Sequence, residues 1–267
     1  MSPPTEELRK RRRQRRRRRR GQACEELRPL VEQWVDAYWR TGDIHMDSPE
    51  SPFAGCIIKI AEGVGYLTES RKNWAYKQVM GAEAAGKRWQ YYAYSRPDLR
   101  PDLSGADSEV EAMLQALDRM PPPNVVRYCD GSDVAVWIDL EADHVGTPKP
   151  QVEAWILRWM EGLEAEGFPC GLYVSDRWLE EWVGLDDATM ARLFTREDGS
   201  RRGLWVARYG KNDGAYPPDL VAFPPSEKAP NWYLVNRGWP PVQQWTSNRS
   251  TPGIADGHDS NLVYLAP

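Results

Sequence analysis

The chain has 267 residues, enough for one large domain or two small ones, and α/β barrels commonly reach this length. Its four cysteines are scattered without zinc-type spacing, so we expect no disulfide framework, no metal site and no cofactor. No run of 18 apolar residues is present, and nothing after the first arginines resembles the apolar region of a signal peptide. We therefore expect a soluble chain with neither a transmembrane segment nor a secretion signal.

The net charge of −4 is distributed very unevenly. Residues 1–20 contain eleven Lys and Arg against Glu6 and Glu7, a charge of +9, which leaves −13 on the remainder. Like charges at this density repel one another and bury no apolar surface, so residues 1–22 are predicted to be a disordered tail. Residues 23–267 are predicted to form a single domain. The partner of the tail must be anionic.

Apolar runs bounded by turn residues predict strands, and apolar residues at helical spacing predict helices. Residues 27–34 have helical spacing, whereas residues 34–39 fit a short strand equally well, and residues 217–230 form a proline-rich loop. The other predicted strands are 53–60, 89–94, 133–141, 171–174, 204–209, 242–246 and 261–265, and the helices are 73–85, 108–119, 151–166 and 186–194. This alternation predicts a parallel sheet with right-handed crossovers, closed into an irregular TIM-like (β/α) barrel of the α/β class.

The strand over residues 133–141 ends in two carboxylates, Asp139 and Glu141. Side chains on a strand alternate between faces, so both point the same way, with Cα atoms about 7 Å apart. Two like charges this close raise one of the pKa values, which keeps a proton available near neutral pH. Glycoside hydrolysis needs such a pair, one acid and one carboxylate, at the carboxyl end of a barrel strand. A solvated strand end is the alternative, because Asp-x-Glu is common by chance.

Aromatic residues are unusually biased towards Trp and Tyr, with thirteen Trp and twelve Tyr against four Phe. Each of these two side chains combines a flat apolar face with a polar group, a combination that suits contacts with sugar rings. For any single aromatic residue, packing in the core or at the barrel rim is the alternative.

Several segments, taken in order, match one known series of barrel strands. Residues 53–63 (FAGCIIKIAEG) are a strand ending in Glu-Gly, residues 82–94 (AEAAGKRWQYYAY) a helix and a strand, and residues 137–141 (WIDLE) the carboxylate strand. Further matches are GLY at 171–173, LWVARY at 204–209, QWT at 244–246 and HDSN at 258–261. In order and spacing, residues 34–265 resemble the glycoside hydrolase family 25 lysozymes, the muramidases of many phage endolysins.

The first strand departs most from that family, which usually has Gly-x-Asp-x-Ser there. The best match is residues 34–39 (WVDAYW), where Asp36 corresponds to the aspartate while Trp34 and Tyr38 replace Gly and Ser. Ala93 stands where the family usually has His. Residues 31–39 also fit an amphipathic helix, so both interpretations stay open.

The resemblance implies cleavage of the β-1,4 bond between N-acetylmuramic acid and N-acetylglucosamine in bacterial peptidoglycan, with net retention. Glu141 would be the general acid, and Asp139 would stabilise the transition state or orient the acetamido group of the substrate. Asp36 and Asp259 would surround the same pocket, and the residues expected to line it are Tyr92, Tyr173 and Trp205. The resemblance also implies a monomeric, phage-encoded protein, located in the host cytoplasm before release to the wall or carried on the virion.

Two alternatives belong to other functional classes. The departures at Ala93 and in the first strand are compatible with an inactive wall-binding module, although Asp139, Glu141 and Asp259 are all present. A tail of arginines could also bind nucleic acid through its phosphates. Because the −13 body would repel nucleic acid, Arg9–Arg20 are instead predicted to bind anionic wall polymers or membrane surfaces, with no specific nucleic acid as a partner.

Overall fold

The computed structural model describes residues 30–143, 146–207, 240–251 and 254–266. The predictions for the basic tail at Arg9–Arg20 and for the loop at 217–230 therefore lie outside the described residues, and so do Arg208 and Tyr209. The described ranges include all seven candidate site residues: Asp36, Tyr92, Asp139, Glu141, Tyr173, Trp205 and Asp259.

The described chain contains ten strands. They are β1 (Leu30–Ala37), β2 (Gly55–Glu62), β3 (Arg88–Tyr94), β4 (Val126–Arg127), β5 (Asp133–Val134), β6 (Val136–Asp139), β7 (Cys170–Val174), β8 (Gly203–Ala207), β9 (Val242–Thr251) and β10 (Ile254–Leu265). Eight of them close into a barrel in the order β1-β10-β9-β8-β7-β6-β3-β2, and β4 pairs with β5 as a separate ribbon. The predicted α/β barrel class is confirmed.

Helices pack around the outside of the barrel: α1 (Glu69–Ala84), α2 (Leu103–Leu117), α3 (Lys149–Ala165), α4 (Asp176–Trp182) and α5 (Asp187–Phe194), with a 3₁₀ turn at Trp39–Thr41. On α3 the predicted apolar face is buried: Val152, Trp155, Ile156, Trp159, Met160 and Leu163. Helix α4 was not predicted from the sequence, because its seven residues are too few to show a helical period. No helix of the described residues combines the length and the apolar character that crossing a bilayer requires.

The barrel closes through β1, and this resolves the ambiguity in the first segment. The helical interpretations of residues 27–34 and 31–39 are wrong over residues 30–37: β1 pairs with β2 on one side and with β10 on the other, so both of its edges are hydrogen-bonded. The prediction of a purely parallel sheet is also wrong, because β10 runs antiparallel to both β1 and β9. That direction places Asp259 opposite Asp36 in the register.

The interior of the barrel is filled by a group that we call the floor cluster: Trp34, Gln90, Tyr128 and Trp137, all buried. A Cβ atom on Gly171 would lie 2.3 Å from the Trp137 ring, so a glycine on β7 makes room for this indole. Gln90 Oε1 accepts hydrogen bonds from the Tyr128 hydroxyl and from Trp137 Nε1, each at 2.8 Å. Gln90 Nε2 donates to the backbone carbonyl of Val134 at 2.6 Å. The floor cluster is therefore uncharged and its buried amide is hydrogen-bonded.

Candidate active site

A pocket of about 260 Å³ opens at the carboxyl ends of the parallel strands, one layer above the floor cluster. On β6, Asp139 follows Trp137 by two residues and shares its face, and this places a carboxylate over the indole. The pocket is lined by Asp36, Tyr38, Lys59, Tyr92, Tyr94, Asp139, Glu141, Tyr173, Trp205, Gln244 and Asp259.

All seven residues that the sequence analysis selected line this one pocket. They come from six segments of the chain: Asp36 from β1, Tyr92 from β3, Asp139 at the end of β6 with Glu141 just after it, Tyr173 from β7, Trp205 from β8 and Asp259 from β10. The structure thus brings the predicted residues together, while the role of each stays a proposal.

Four lining residues were not selected: Tyr38, Lys59, Tyr94 and Gln244. A signal was available for Lys59, which is the only charged residue within the apolar run 53–60. Tyr94 also carried a signal, since it lies on the same strand face as Tyr92. Gln244 and Tyr38 had no pattern of their own.

Asp36 and Asp259 form a hydrogen-bonded carboxyl pair. Burial, and then the charge of Asp259, raise the pKa of Asp36 well above its usual value, while burial raises the pKa of Asp259 to about 6. Asp36 Oδ2 accepts from Asn261 Nδ2 at 2.7 Å and from Gln244 Nε2 at 3.4 Å. A hydrogen bond between two carboxyl groups requires a proton on one of them, so the pair retains one proton.

Asp139 and Glu141 form the second carboxyl pair. Burial, and then the charge of Glu141, raise the pKa of Asp139 well above its usual value. Glu141 lies at the mouth and reaches solvent, but its carboxyl group lies among protein atoms, and this desolvation raises its pKa. Asp139 Oδ1 is buried and has no hydrogen-bond partner among the described residues. A buried carboxylate oxygen without a donor is costly, and a donor from a substrate would satisfy it.

Among the described residues that line the pocket, Lys59 is the only basic one. Its Nζ lies 2.7 Å from Glu62 Oε2 and 4.6 Å from the centroid of the Tyr94 ring. The ammonium group lowers the pKa values of both Asp139 and Glu141. One cation cannot neutralise four carboxyl groups, so the pocket retains protons near neutral pH.

Three aromatic side chains form one wall of the pocket. The ring centroids of Tyr173 and Trp205 are 4.4 Å apart, and Tyr92 meets Trp205 edge-on at 6.2 Å. Trp205 Nε1 donates to Asn261 Oδ1 at 2.9 Å. These contacts show that the aromatic residues pack against one another and line the pocket at the same time.

A chain of hydrogen bonds connects the two carboxyl pairs. The Tyr173 hydroxyl lies 2.6 Å from Gln244 Oε1 and 3.1 Å from Glu141 Oε1, and Gln244 Nε2 in turn reaches Asp36. Because the hydroxyl has a single proton, Gln244 competes with Glu141 for it, and the Gln244 contact is the shorter one. Tyr173 therefore fixes the position of Glu141 while opposing its protonation only weakly. Among the described residues, no group of three or more His, Cys, Asp or Glu is arranged to hold a metal ion.

Solved structures with the same fold come from phages and bacteria. The catalytic domain of endolysin ply40, from bacteriophage P40 of Listeria monocytogenes, is 17% identical over 89% of this chain and 94% of that chain, with a TM-score of 0.58. The bacterial lysozyme from Streptomyces coelicolor is 17% identical over 86% of this chain and 90% of that chain, with a TM-score of 0.59. The modular Cpl-1 endolysin, solved with a peptidoglycan analogue, is 20% identical over 90% of this chain and 56% of that chain, with a TM-score of 0.56. At these identities the likeness establishes the fold.

Sequence comparison identifies the family. No match is found among curated protein sequences. The model of glycosyl hydrolases family 25 matches residues 35–254, which is most of the chain and runs from β1 to the start of β10. The chain therefore belongs to glycosyl hydrolases family 25, as its sequence resemblance predicts, and is a glycoside hydrolase.

Proposed function

We propose that this glycoside hydrolase is a lysozyme that cleaves the β-1,4 bond between N-acetylmuramic acid and N-acetylglucosamine in bacterial cell-wall lysis. The observation that carries the proposal is the grouping of four carboxyl groups in one pocket of a family 25 barrel. Structures titled as endolysins and a lysozyme share the fold, and one of them holds a peptidoglycan analogue. Peptidoglycan is accordingly the proposed substrate.

Glu141 is the proposed general acid. It lies at the mouth, where the oxygen of a bound glycosidic bond can be reached from solvent. Its raised pKa keeps the proton that must be given to the leaving oxygen. Tyr173 holds the carboxyl group in place at 3.1 Å, and this limits the conformations that Glu141 samples.

Asp139 is proposed to orient the acetamido group of the muramic acid. Its unpaired Oδ1 would accept the acetamido N–H, and that hydrogen bond favours the ionised form of Asp139. Because Asp139 and Glu141 are coupled by charge repulsion, an ionised Asp139 favours the protonated form of Glu141, so binding of substrate prepares the acid. Ionised Asp139 also stabilises the positive charge that develops on the sugar ring.

Net retention results if the acetamido oxygen attacks the anomeric carbon. The bond to the leaving oxygen breaks as Glu141 protonates it, and a cyclic intermediate forms from the acetamido group. Water then attacks the same carbon, the ionised Glu141 takes its proton, and the acetamido group is regenerated. The new reducing end is N-acetylmuramic acid.

Asp36 and Asp259 are proposed to bind substrate hydroxyl groups while holding one proton between them. That proton reduces the negative charge next to Asp139, since two ionised carboxylates at this depth would repel each other. Gln244 bridges this pair to Tyr173 and so keeps the two carboxyl pairs in a fixed relation.

The test is release of reducing ends from purified peptidoglycan, with identification of the new reducing sugar. Wild type is expected to release reducing N-acetylmuramic acid with retained anomeric configuration, as read by NMR at early times. Reducing N-acetylglucosamine would show a different bond. No release, with retained wall binding, would indicate an inactive wall-binding module.

For the tail at Arg9–Arg20 we propose binding to anionic wall polymers or to membrane surfaces by charge attraction. Removal of residues 1–22 is expected to weaken binding to cells at low salt and to leave hydrolysis of soluble fragments unchanged. Loss of that hydrolysis would show that the tail belongs to the catalytic domain.

A further inference from the structure

A second cavity, of about 400 Å³, lies between the end of β2 and the outer face of α2. We call it the side cavity. Its floor is formed by small side chains, and its rim includes an aromatic and a basic residue; the relevant lining residues are Ala61, Val64, Tyr66, Arg71, Ala112 and Ala116. Val64 is 48% exposed although it is apolar, so the cavity presents a small apolar surface to solvent.

The side cavity lies next to the active-site pocket, and the Lys59 and Tyr66 side chains stand between the two. Lys59 lines the pocket, and its Nζ lies 5.0 Å from the centroid of the Tyr66 ring, which lines the side cavity. On the other side of this junction, Tyr38 lines the pocket, and the backbone N–H of the next residue, Trp39, donates to the Tyr66 hydroxyl at 3.4 Å. The side cavity is therefore a near neighbour of a substrate bound in the pocket, one side-chain layer away.

Arg71 places a positive charge at the rim of the side cavity, and Arg40 lies close to it. The Arg71 guanidinium lies 4.5 Å from the Tyr66 centroid and 5.4 Å from the Trp39 centroid, and the Arg40 guanidinium lies over the same Trp39 ring at 5.5 Å. Within the described residues, neither arginine has an ion pair. The nearby Glu62 pairs with Lys59, and Glu69 pairs with Lys72 and with Arg119, a second basic residue that lines the cavity. Stacking on aromatic rings holds the Arg71 group in place and leaves its charge available to an anion.

We propose that the side cavity binds the stem peptide carried by the muramic acid in the active site, with Arg71 pairing with a peptide carboxylate. The inference rests on the proposed function, because the peptide is attached through the lactyl group of the same sugar. Stem peptides combine alanine methyl groups with free carboxylates. The small apolar floor matches the methyl groups, and the arginine rim matches the carboxylates.

The test compares two soluble substrates that differ only in the peptide: glycan strands with stem peptides, and the same strands after an amidase has removed them. Wild type is expected to have the higher kcat/KM on the peptide-bearing strands. Arg71→Gln is expected to lower kcat/KM on those strands by about tenfold, the loss typical of a hydrogen bond to a charged group, and to leave the stripped strands unaffected. Arg158→Gln, which removes an exposed arginine paired with Asp107 on the outer helices, is the matched control and should change neither.

A second variant keeps the inference testable if Arg71→Gln folds poorly. Val64→Asp places a negative charge on an exposed position of the cavity and should selectively slow hydrolysis of peptide-bearing strands. Equal wild-type rates on both substrates, or equal losses on both in the variants, would overturn the inference and leave the lysozyme proposal standing.

Failure of the proposed function itself has a different signature, namely no hydrolysis of either substrate by wild type. In that case calorimetric binding of soluble muramoyl dipeptide decides the inference. Binding about tenfold weaker in Arg71→Gln than in wild type supports it, and equal binding overturns it.

Discussion

The floor cluster and the pocket above it are successive layers of the same barrel, and they treat buried polar groups in opposite ways. In the floor cluster, the neutral Gln90 side chain accepts hydrogen bonds from Tyr128 and Trp137 and donates one to a backbone carbonyl. In the pocket, four carboxyl groups share one lysine, and Asp139 Oδ1 lacks a donor among the described residues. Only one residue of β6, Ile138, lies between Trp137 and Asp139.

The floor cluster stabilises the fold, whereas the pocket provides groups for chemistry. A buried neutral amide with its hydrogen bonds made costs little, whereas buried carboxyl groups with raised pKa values cost stability and provide protons. Strongly perturbed carboxyl groups in a cleft are typical of catalytic sites. Substitutions in the pocket should therefore lower activity and spare or raise stability, and substitutions in the floor cluster should lower stability.

The strongest loss of activity short of removing the acid is expected from Asp139→Asn. The amide cannot carry the negative charge opposite the developing cation, so kcat should fall about 100-fold or more. Because burial raises the pKa of Asp139 in the folded state, wild type loses stability as pH rises through that pKa. The stability advantage of the variant in urea unfolding should thus grow as the pH rises above the ordinary pKa of an aspartate.

Asp118→Asn, at an exposed position, is the control for that prediction and should alter neither kcat nor the pH dependence of stability. An Asp139→Asn protein with kcat close to wild type would show that the pocket works without this carboxylate.

In the floor cluster, Gly171→Ala should lower the free energy of unfolding by about 3 kcal/mol, as expected for overpacking. The added Cβ would overlap the Trp137 ring, and the ring is held by its hydrogen bond to Gln90. Gly65→Ala is the matched control, since nothing lies within 4 Å of its Cβ position. Thermal unfolding measures both, and equal stability of the two variants would contradict tight packing in the floor.

Tyr173→Phe tests the hydrogen-bond chain between the two carboxyl pairs and should have the mildest effect, a severalfold fall in kcat. The Tyr173 hydroxyl lowers the pKa of Glu141, so its removal should raise that pKa. The alkaline limb of the kcat profile should then move to higher pH, because Glu141 must be protonated to act. The exposed Tyr76→Phe serves as the control. A shift to lower pH would mean that Tyr173 stabilises the protonated acid instead.

The features that could be predicted from the sequence are those that depend only on residues close together in the chain. Strand alternation predicts Asp139 and Glu141 on one side of the sheet, and both line the pocket, although β6 ends at Asp139 and does not extend to Glu141. Asp259 was identified only through the family resemblance, because its contact with Asp36 depends on β10 running antiparallel across the closed barrel. The direction of β10 and the strand at residues 30–37 depend on pairing between distant segments, which hydrophobic spacing does not encode. Gln244 was not selected as a site residue for the same reason: its partners, Tyr173 and Asp36, come from other strands.

The central claim is that Glu141 is the proton donor in a pocket whose buried carboxyl groups lower the stability of the fold and make catalysis possible. Measuring kcat on purified peptidoglycan and the free energy of unfolding for wild type and Glu141→Gln tests it directly. The account predicts that the variant has a kcat about 1,000-fold lower, since a positioned general acid contributes a factor of this order, with stability unchanged or higher. A kcat within tenfold of wild type, or a loss of activity matched by a loss of stability, would contradict it.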